Sequence, residues 1–231
     1  MVEQLIPTTV YHKVYYEHTL DIIKKEIHRA EKCTKNIHNY SGQYHGKLLS
    51  NLYSGDWNNP VLRQLILDGL PKIVADNMIV HSINHLQSFI PYQLHSDYGW
   101  IDCDDSEQPL VLMLIPLETV PAKTIVLDQT LKGLHFTDYK KQSNQLEISQ
   151  QLSENEYKKY FSHCYPQERP YISINRVFEW QVGSLLIMDL RRIHGSDNFN
   201  SSGLTEKNCI TIFTKIKKSN FNSVLEFFIR R

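Results

Sequence analysis

From Lys72 onward the chain is a succession of short apolar segments, and this texture limits its fold more than any other feature. KIVADNMIVHSINHLQSFI, PLVLMLIPLE, KTIVLDQT, YISINRVFEW, GSLLIMDL and KNCITIFTKI are rich in Val, Ile, Leu and Phe, with Gly, Pro, Asn or Asp near their ends. β-branched and aromatic runs of this length, punctuated in this way, predict β-strands. Several such strands with turn signals between them predict an all-β sandwich or barrel.

Upstream the periodicity is different. In EHTLDIIKKEIHRAEKCT (17–34) Leu20, Ile23, Ile27 and Ala30 recur at spacings of three and four with Lys and Glu between them, which predicts an amphipathic helix. NNPVLRQLILDGL predicts a second helix, with Asn59 as N-cap, Pro60 in the first turn and Gly69 as the stop. The expectation is one domain over 1–231: helical support in 1–72 and a β core in 73–231, with a polar insertion at 137–170. Within the insertion, Ser153 and Glu156 form a capping box for a short helix through Phe161. An excursion of this kind is either a solvated surface loop or a lid over a pocket.

Bulk properties narrow the function. Lys plus Arg equals Asp plus Glu at 25 each, so no net field recruits nucleic acid or an anionic membrane. Cys33, Cys103, Cys164 and Cys209 form no C-x-x-C pair, which excludes a zinc ribbon and reads as free thiols in a reducing compartment. The first residues lack the order of a signal peptide, and no long uncharged apolar run follows. A cytoplasmic protein acting on a small molecule, with neither nucleic acid nor membrane as partner, is expected.

One short motif carries chemistry. In PYQLHSDYGW, His95 and Asp97 stand two apart, and along an extended chain their side chains share a face. That is part of a metal site, and a further histidine must come from another strand. His194 is the candidate: in VGSLLIMDLRRIHGS, Gly183 breaks the chain, an apolar strand follows, and Asp189 opens a turn before the histidine. Two imidazoles and one carboxylate on one face leave three adjacent coordination positions open, an arrangement suited to non-haem Fe(II) and dioxygen. A structural zinc site would close all four positions, usually with thiolates.

Taken in order, the His-x-Asp, the strands after it and VGSLLIMDLRRIHGS resemble the iron(II)- and 2-oxoglutarate-dependent dioxygenase superfamily over roughly residues 80–216. The resemblance implies a double-stranded β-helix, the jelly-roll core of cupin-like enzymes, with the N-terminal helices packed outside. It also implies Fe(II) held by His95, Asp97 and His194, and a reaction in which dioxygen oxidises 2-oxoglutarate to succinate and carbon dioxide while a substrate is hydroxylated. The retained carboxylate of Asp97 argues for hydroxylation over halogenation. The far carboxylate of 2-oxoglutarate needs a cation, and in this family it lies on the strand after the distal histidine. Lys207 opens that strand here, with Thr211 on the same face and Lys215 as the fallback. Thr124 is a further co-substrate contact on resemblance alone.

Other residues are less specific. Gln93, Tyr98 and Trp100 either line a substrate pocket or pack the rim, and Arg192 with Arg191 either binds an acidic substrate group or forms a solvated turn. His81 and His85 are four apart in a β-like segment without the Glu of a zinc protease, and are expected to line the barrel or its rim. No G-x-S-x-G elbow or phosphate-cradling glycine loop is present. A cupin-like metal enzyme without 2-oxoglutarate, or a non-catalytic binding protein on the same scaffold, is the alternative.

Overall fold

The computed structural model describes residues 5–29, 49–98, 110–131 and 152–230. Ala30, Cys33, Trp100, Cys103 and the 137–151 half of the insertion lie outside these. The described strands are β1 (Thr9–Tyr11), β2 (Ser50–Ser54), β3 (Met78–Ser88), β4 (Leu110–Pro116), β5 (Lys123–Thr130), β6 (Ile174–Glu179), β7 (Leu185–Asp189), β8 (Arg192–Ser196) and β9 (Lys207–Ile216). They form a six-stranded sheet in the order β1-β7-β4-β9-β3-β2 and a three-stranded sheet in the order β6-β5-β8. Every pairing between these strands is antiparallel.

Alternation along the strands sorts their side chains into layers. Leu112, Leu114, Leu186, Met188 and Cys209 from the large sheet pack with Val126 and Phe178 from the small one, so the two sheets face each other across an apolar interior. The opposite face of the large sheet presents Ile83, Met113, Ile187 and Ile212 to the helices. Onto it dock α1 (Glu17–Arg29), α2 (Pro60–Asp68), α3 (Lys72–Asn77) and α5 (Phe221–Ile229). Helix α1 inserts Leu20, Ile23 and Ile27, each worth roughly 1.5–3 kcal/mol of burial. Asn59 caps α2 by accepting from the Val61 and Leu62 N–H groups, and the N–H of Gly69 closes its last turn on Ile66 and Leu67.

The helix in the described half of the insertion is half-solvated: Glu154, Glu156, Lys158 and Lys159 face water, and its other face is packed down. Helix α4 (Glu154–Phe161) is capped by Ser153 in the expected box, and it buries Tyr157 and Phe161 against Ile125, Leu127 and Ile193 on the back of the small sheet. A second difference is at 72–77, where Pro71, with φ −54°, starts helix α3 and its carbonyl accepts from Val74 and Ala75. The strand begins only at Met78. Among the described residues no helix is long and apolar enough to cross a membrane.

Candidate metal centre

A tight turn aims the distal half of the site. Asp189, fully buried at the end of β7, accepts from the Arg191 backbone N–H and from its guanidinium Nε and Nη2 at 2.7–3.0 Å, and from the Ile6 N–H at 3.2 Å. The paired charges need each other there, because removing one partner of a buried pair costs about 3–5 kcal/mol. Arg191 is therefore a buried anchor, not part of a solvated turn. Arg192 is engaged in part: its Nη1 donates to the Leu127 and Asp128 carbonyls where β5 bulges against β8. Its guanidinium pKa is lowered, mainly by burial.

From this turn β8 brings His194 into register with Val126, whose side chain lies in the interior, and partners on an antiparallel pair share a face. His95 reaches the same place from a segment outside the named strands. It forms a single bridge with His194, each N–H donating to the other's carbonyl at 2.9 and 2.8 Å. Gly195 permits this approach. A Cβ there would stand 3.2 Å from the Tyr92 carbonyl oxygen and 3.3 Å from Gln93 backbone atoms.

The side chains of His95, Asp97 and His194 offer donor atoms that all lie within 4.8 Å of one another. His95 Nδ1 lies 2.6 Å from the Gln93 carbonyl and His194 Nδ1 3.1 Å from the Arg192 carbonyl. A carbonyl only accepts, so both rings carry hydrogen on Nδ1 and turn an Nε2 lone pair inward. Those Nε2 atoms stand 3.6 and 3.3 Å from the Asp97 carboxylate. Burial raises the Asp97 pKa, and only with the imidazoles protonated, His194 foremost, is that outweighed and the carboxyl held below its ordinary value. Two lone pairs and a carboxylate meeting in a buried corner require a shared cation or an extra proton, and a divalent metal meets the requirement for all three at once.

The interior holds a second unusual group. Lys207 is 2% exposed, and its ammonium lies 4.1 Å from the Trp180 ring centroid and 5.1 Å from that of Phe199. Burial pushes its pKa down to about 8, against the opposing influence of Cys209 and Asp197. Among the described residues no carboxylate forms an ion pair with it. Trp180 is fixed in turn by donating its Nε1–H to Thr124 Oγ1 at 2.9 Å. Thr124 is two residues from Val126 on the same strand face, so Lys207, Trp180, Thr124 and His194 border one interior space. Thr211 shares the Lys207 face of β9, and its buried Oγ1 has no hydrogen-bond partner among the described residues. Lys215 is eight residues along β9, roughly 26 Å of strand, where it pairs with Leu110.

The remaining candidates scatter. Gln93 is half-buried, and its carbonyl orients His95. Tyr98 packs against the interior cluster. His81 is exposed, while His85 is buried on the helix side of the large sheet, so neither lines the interior. Sequence reading missed two contributors. Tyr92 rests its ring 5.5 Å from that of His95 and donates its hydroxyl to Ser50 on β2, and Trp180 forms one wall of the Lys207 site. An aromatic three residues before the motif was the one available signal for Tyr92.

No family model matches the sequence, and no curated protein matches it. Solved structures do. The chain is similar to the non-haem alpha ketoglutarate-dependent carbocyclase SnoK from nogalamycin biosynthesis, with TM-score 0.58 and 12% identity over 90% of this chain and 79% of that one. The epimerase SnoN, in complex with Fe3+, alpha ketoglutarate and nogalamycin RO, gives TM-score 0.54 at 8% identity over 94% and 84%. HygX from Streptomyces hygroscopicus, with nickel and 2-oxoglutarate bound, gives 0.53 at 14% identity over 92% and 84%. The two facing antiparallel sheets with helices outside are thus the jelly-roll, double-stranded β-helix fold that these structures have.

Proposed function

We propose that the chain is an Fe(II)- and 2-oxoglutarate-dependent dioxygenase that hydroxylates a small molecule. The observation that carries this reading is the pairing of two features in one interior. Three metal-ligand side chains converge within 4.8 Å of one another, and on the same interior a buried ammonium has, among the described residues, no carboxylate paired with it. His95, Asp97 and His194 would hold the metal on one face, leaving its other positions to co-substrate and dioxygen. Bound there, iron with 2-oxoglutarate would supply the oxidising chemistry.

The rest of the work falls to side chains. Lys207 holds the far carboxylate, which replaces the hydration its ammonium gives up on burial. Thr124 fixes the Trp180 ring against that ammonium. Leu112, Leu114, Met188 and Val126 keep the interior apolar and exclude water from the reacting groups. The buried lysine favours this reading over a metal enzyme without 2-oxoglutarate, which has no use for a cation there. SnoN and HygX, which share the fold, were crystallised with the same co-substrate.

Anaerobic calorimetry tests the reading. Fe(II)-loaded protein should bind 2-oxoglutarate, and Lys207→Ala should weaken that affinity by about a hundredfold or more, the equivalent of losing one partner of a buried charge pair. Fe(II) affinity should stay as it was, and Lys215→Ala should leave both unchanged. Equal affinities in Lys207→Ala and the parent would remove 2-oxoglutarate from the assignment. Succinate release across a small-molecule library then identifies the substrate.

A further inference from the structure

The residues after α4 bring one more polar side chain within electrostatic reach of Lys207. His163 lies two residues past Phe161, and its Nε2 is 3.2 Å from the Tyr92 carbonyl oxygen. That oxygen also accepts from the Ser196 N–H at 3.1 Å, and Asn198 donates to Ser162 at 2.9 Å. His163 is thus clamped to the 196–199 stretch, which carries Asp197 and the Phe199 ring that contacts the Lys207 ammonium. The carbonyl fixes hydrogen on Nε2, leaving Nδ1 with a lone pair. This Nδ1 is buried and has no hydrogen-bond partner among the described residues.

An acceptor with no donor is an unstable way to leave a buried nitrogen. The Lys207 charge acts on this ring, and among the described residues no carboxylate pairs with that ammonium. One carboxylate would answer both, provided the imidazole takes a proton at Nδ1 and donates it. We propose that His163 is a second recognition residue for the anionic end of the ligand held by Lys207, gaining one proton from solvent as that anion enters. This rests on the 2-oxoglutarate reading above and adds a residue to the same site.

The groups facing His163 set the sign. They are Lys207 from β9, the Tyr92 carbonyl from the segment before His95, and the Cys164 thiol beside it. In the free protein, burial chiefly and the Lys207 charge secondarily hold the imidazole below its ordinary pKa, so it is neutral near pH 7. A bound carboxylate offsets the lysine and accepts from Nδ1, and both effects raise the pKa. Affinity for the anion must then strengthen as pH falls through the bound-state pKa, and level off below the free-state value.

The probe is 2-oxoglutarate itself, titrated anaerobically into Fe(II)-loaded protein between pH 5.5 and 7.0, where Lys207, with its pKa at about 8, keeps nearly all of its proton. Wild type should gain affinity on acidification by up to about tenfold per pH unit. Titrations in buffers of different ionisation heat should register uptake of up to one proton. His163→Gln keeps a donor for the Tyr92 carbonyl but cannot titrate, so its slope and proton uptake should both vanish. His163→Asn serves if the glutamine variant fails to fold. An unchanged slope and uptake in a folded variant overturns the role of His163 alone, provided that Lys207→Ala still weakens binding. Absence of 2-oxoglutarate binding in the parent, or indifference to Lys207→Ala, overturns the underlying function as well.

Discussion

Among the described residues two pairs of histidines lie in contact, one on each side of the large sheet, and only one of these pairs has a carboxylate placed to complete a metal site. On the helix side, His28 from α1 meets His85 from β3, Nε2 to Nδ1 at 2.9 Å, and His85 Nε2 continues to Asn208 Oδ1 at 3.2 Å. Each nitrogen in that chain answers the next, donor to acceptor. In the interior, His95 and His194 sit with ring centroids 4.4 Å apart, but both spend their N–H groups on backbone carbonyls and aim lone pairs at Asp97. Proximity of imidazoles is common to both pairs. A metal site differs in that its rings are fixed from behind by backbone carbonyls and turn their other nitrogens toward one shared point.

The largest effect that would break this contrast is in metal binding. Asp97→Ala or His194→Ala should lower Fe(II) affinity by more than about a hundredfold, since loss of a supporting group alone costs 10–100-fold. His85→Gln and His28→Gln should leave it unchanged. Anaerobic isothermal titration of the four variants decides the point, and a comparable loss in the His85 or His28 variants would erase the distinction.

A smaller effect separates the scaffolds on which the pairs stand. His28 and His85 lie within a regular helix and strand, whereas His194 depends on the Asp189–Arg191 turn. Arg191→Met leaves a fully buried carboxylate without its partner and should destabilise the fold by about 3–5 kcal/mol in urea titration. A loss under 1 kcal/mol would mean that the turn is held by the backbone alone.

The mildest is a response to acid. Burial first, then Lys24 and His28, push the His85 pKa down from 6.5 to about 4, while its bond to Asn208 works the other way. Between those values the unfolded chain binds the proton more readily than the native one. Stability is therefore full above pH 6.5 and falls as pH drops toward 4, by roughly 3 kcal/mol for this group. His85→Gln should flatten the slope of urea midpoint against pH across that window. If the slope persists, other groups cause it.

The sequence discloses these features unevenly, for physical reasons. Strands such as PLVLMLIPLE and KNCITIFTKI announce themselves because both faces are buried and nearly every residue must be apolar or β-branched. Strand β8 does not: RIHGS has little intrinsic β-preference, and it is extended because β5 pairs with it. Strands β1 and β2 and helix α5 were likewise unread. The short β1 and β2 edges owe their form to the neighbour that pairs with them. His95 and Asp97 could be singled out from their spacing, but only tertiary structure reveals which carbonyls turn the two imidazoles inward. The placement of Lys207 against Trp180 could not be read at all, because 26 intervening residues, with β7, β8 and a turn of 3₁₀ helix among them, fold back between the two. Helix α4 was legible from its capping box, but not the surface on which it lies.

The position of β9 has a consequence for how the chain becomes a protein. This strand follows every other strand in sequence, yet it stands inside the large sheet, hydrogen-bonded to β3 on one side and β4 on the other. Until residues 207–216 are made and inserted, the sheet exists only as two separate pieces, β2 with β3 and β1 with β7 and β4. Each piece exposes a long apolar strand edge, and such edges recruit other chains as readily as their own partner. During synthesis the nascent polypeptide must carry these open edges for more than a hundred residues after β3. Its vulnerability to aggregation is therefore greatest just before the segment bearing Lys207 emerges, and the same ten residues close the sheet and complete its interior.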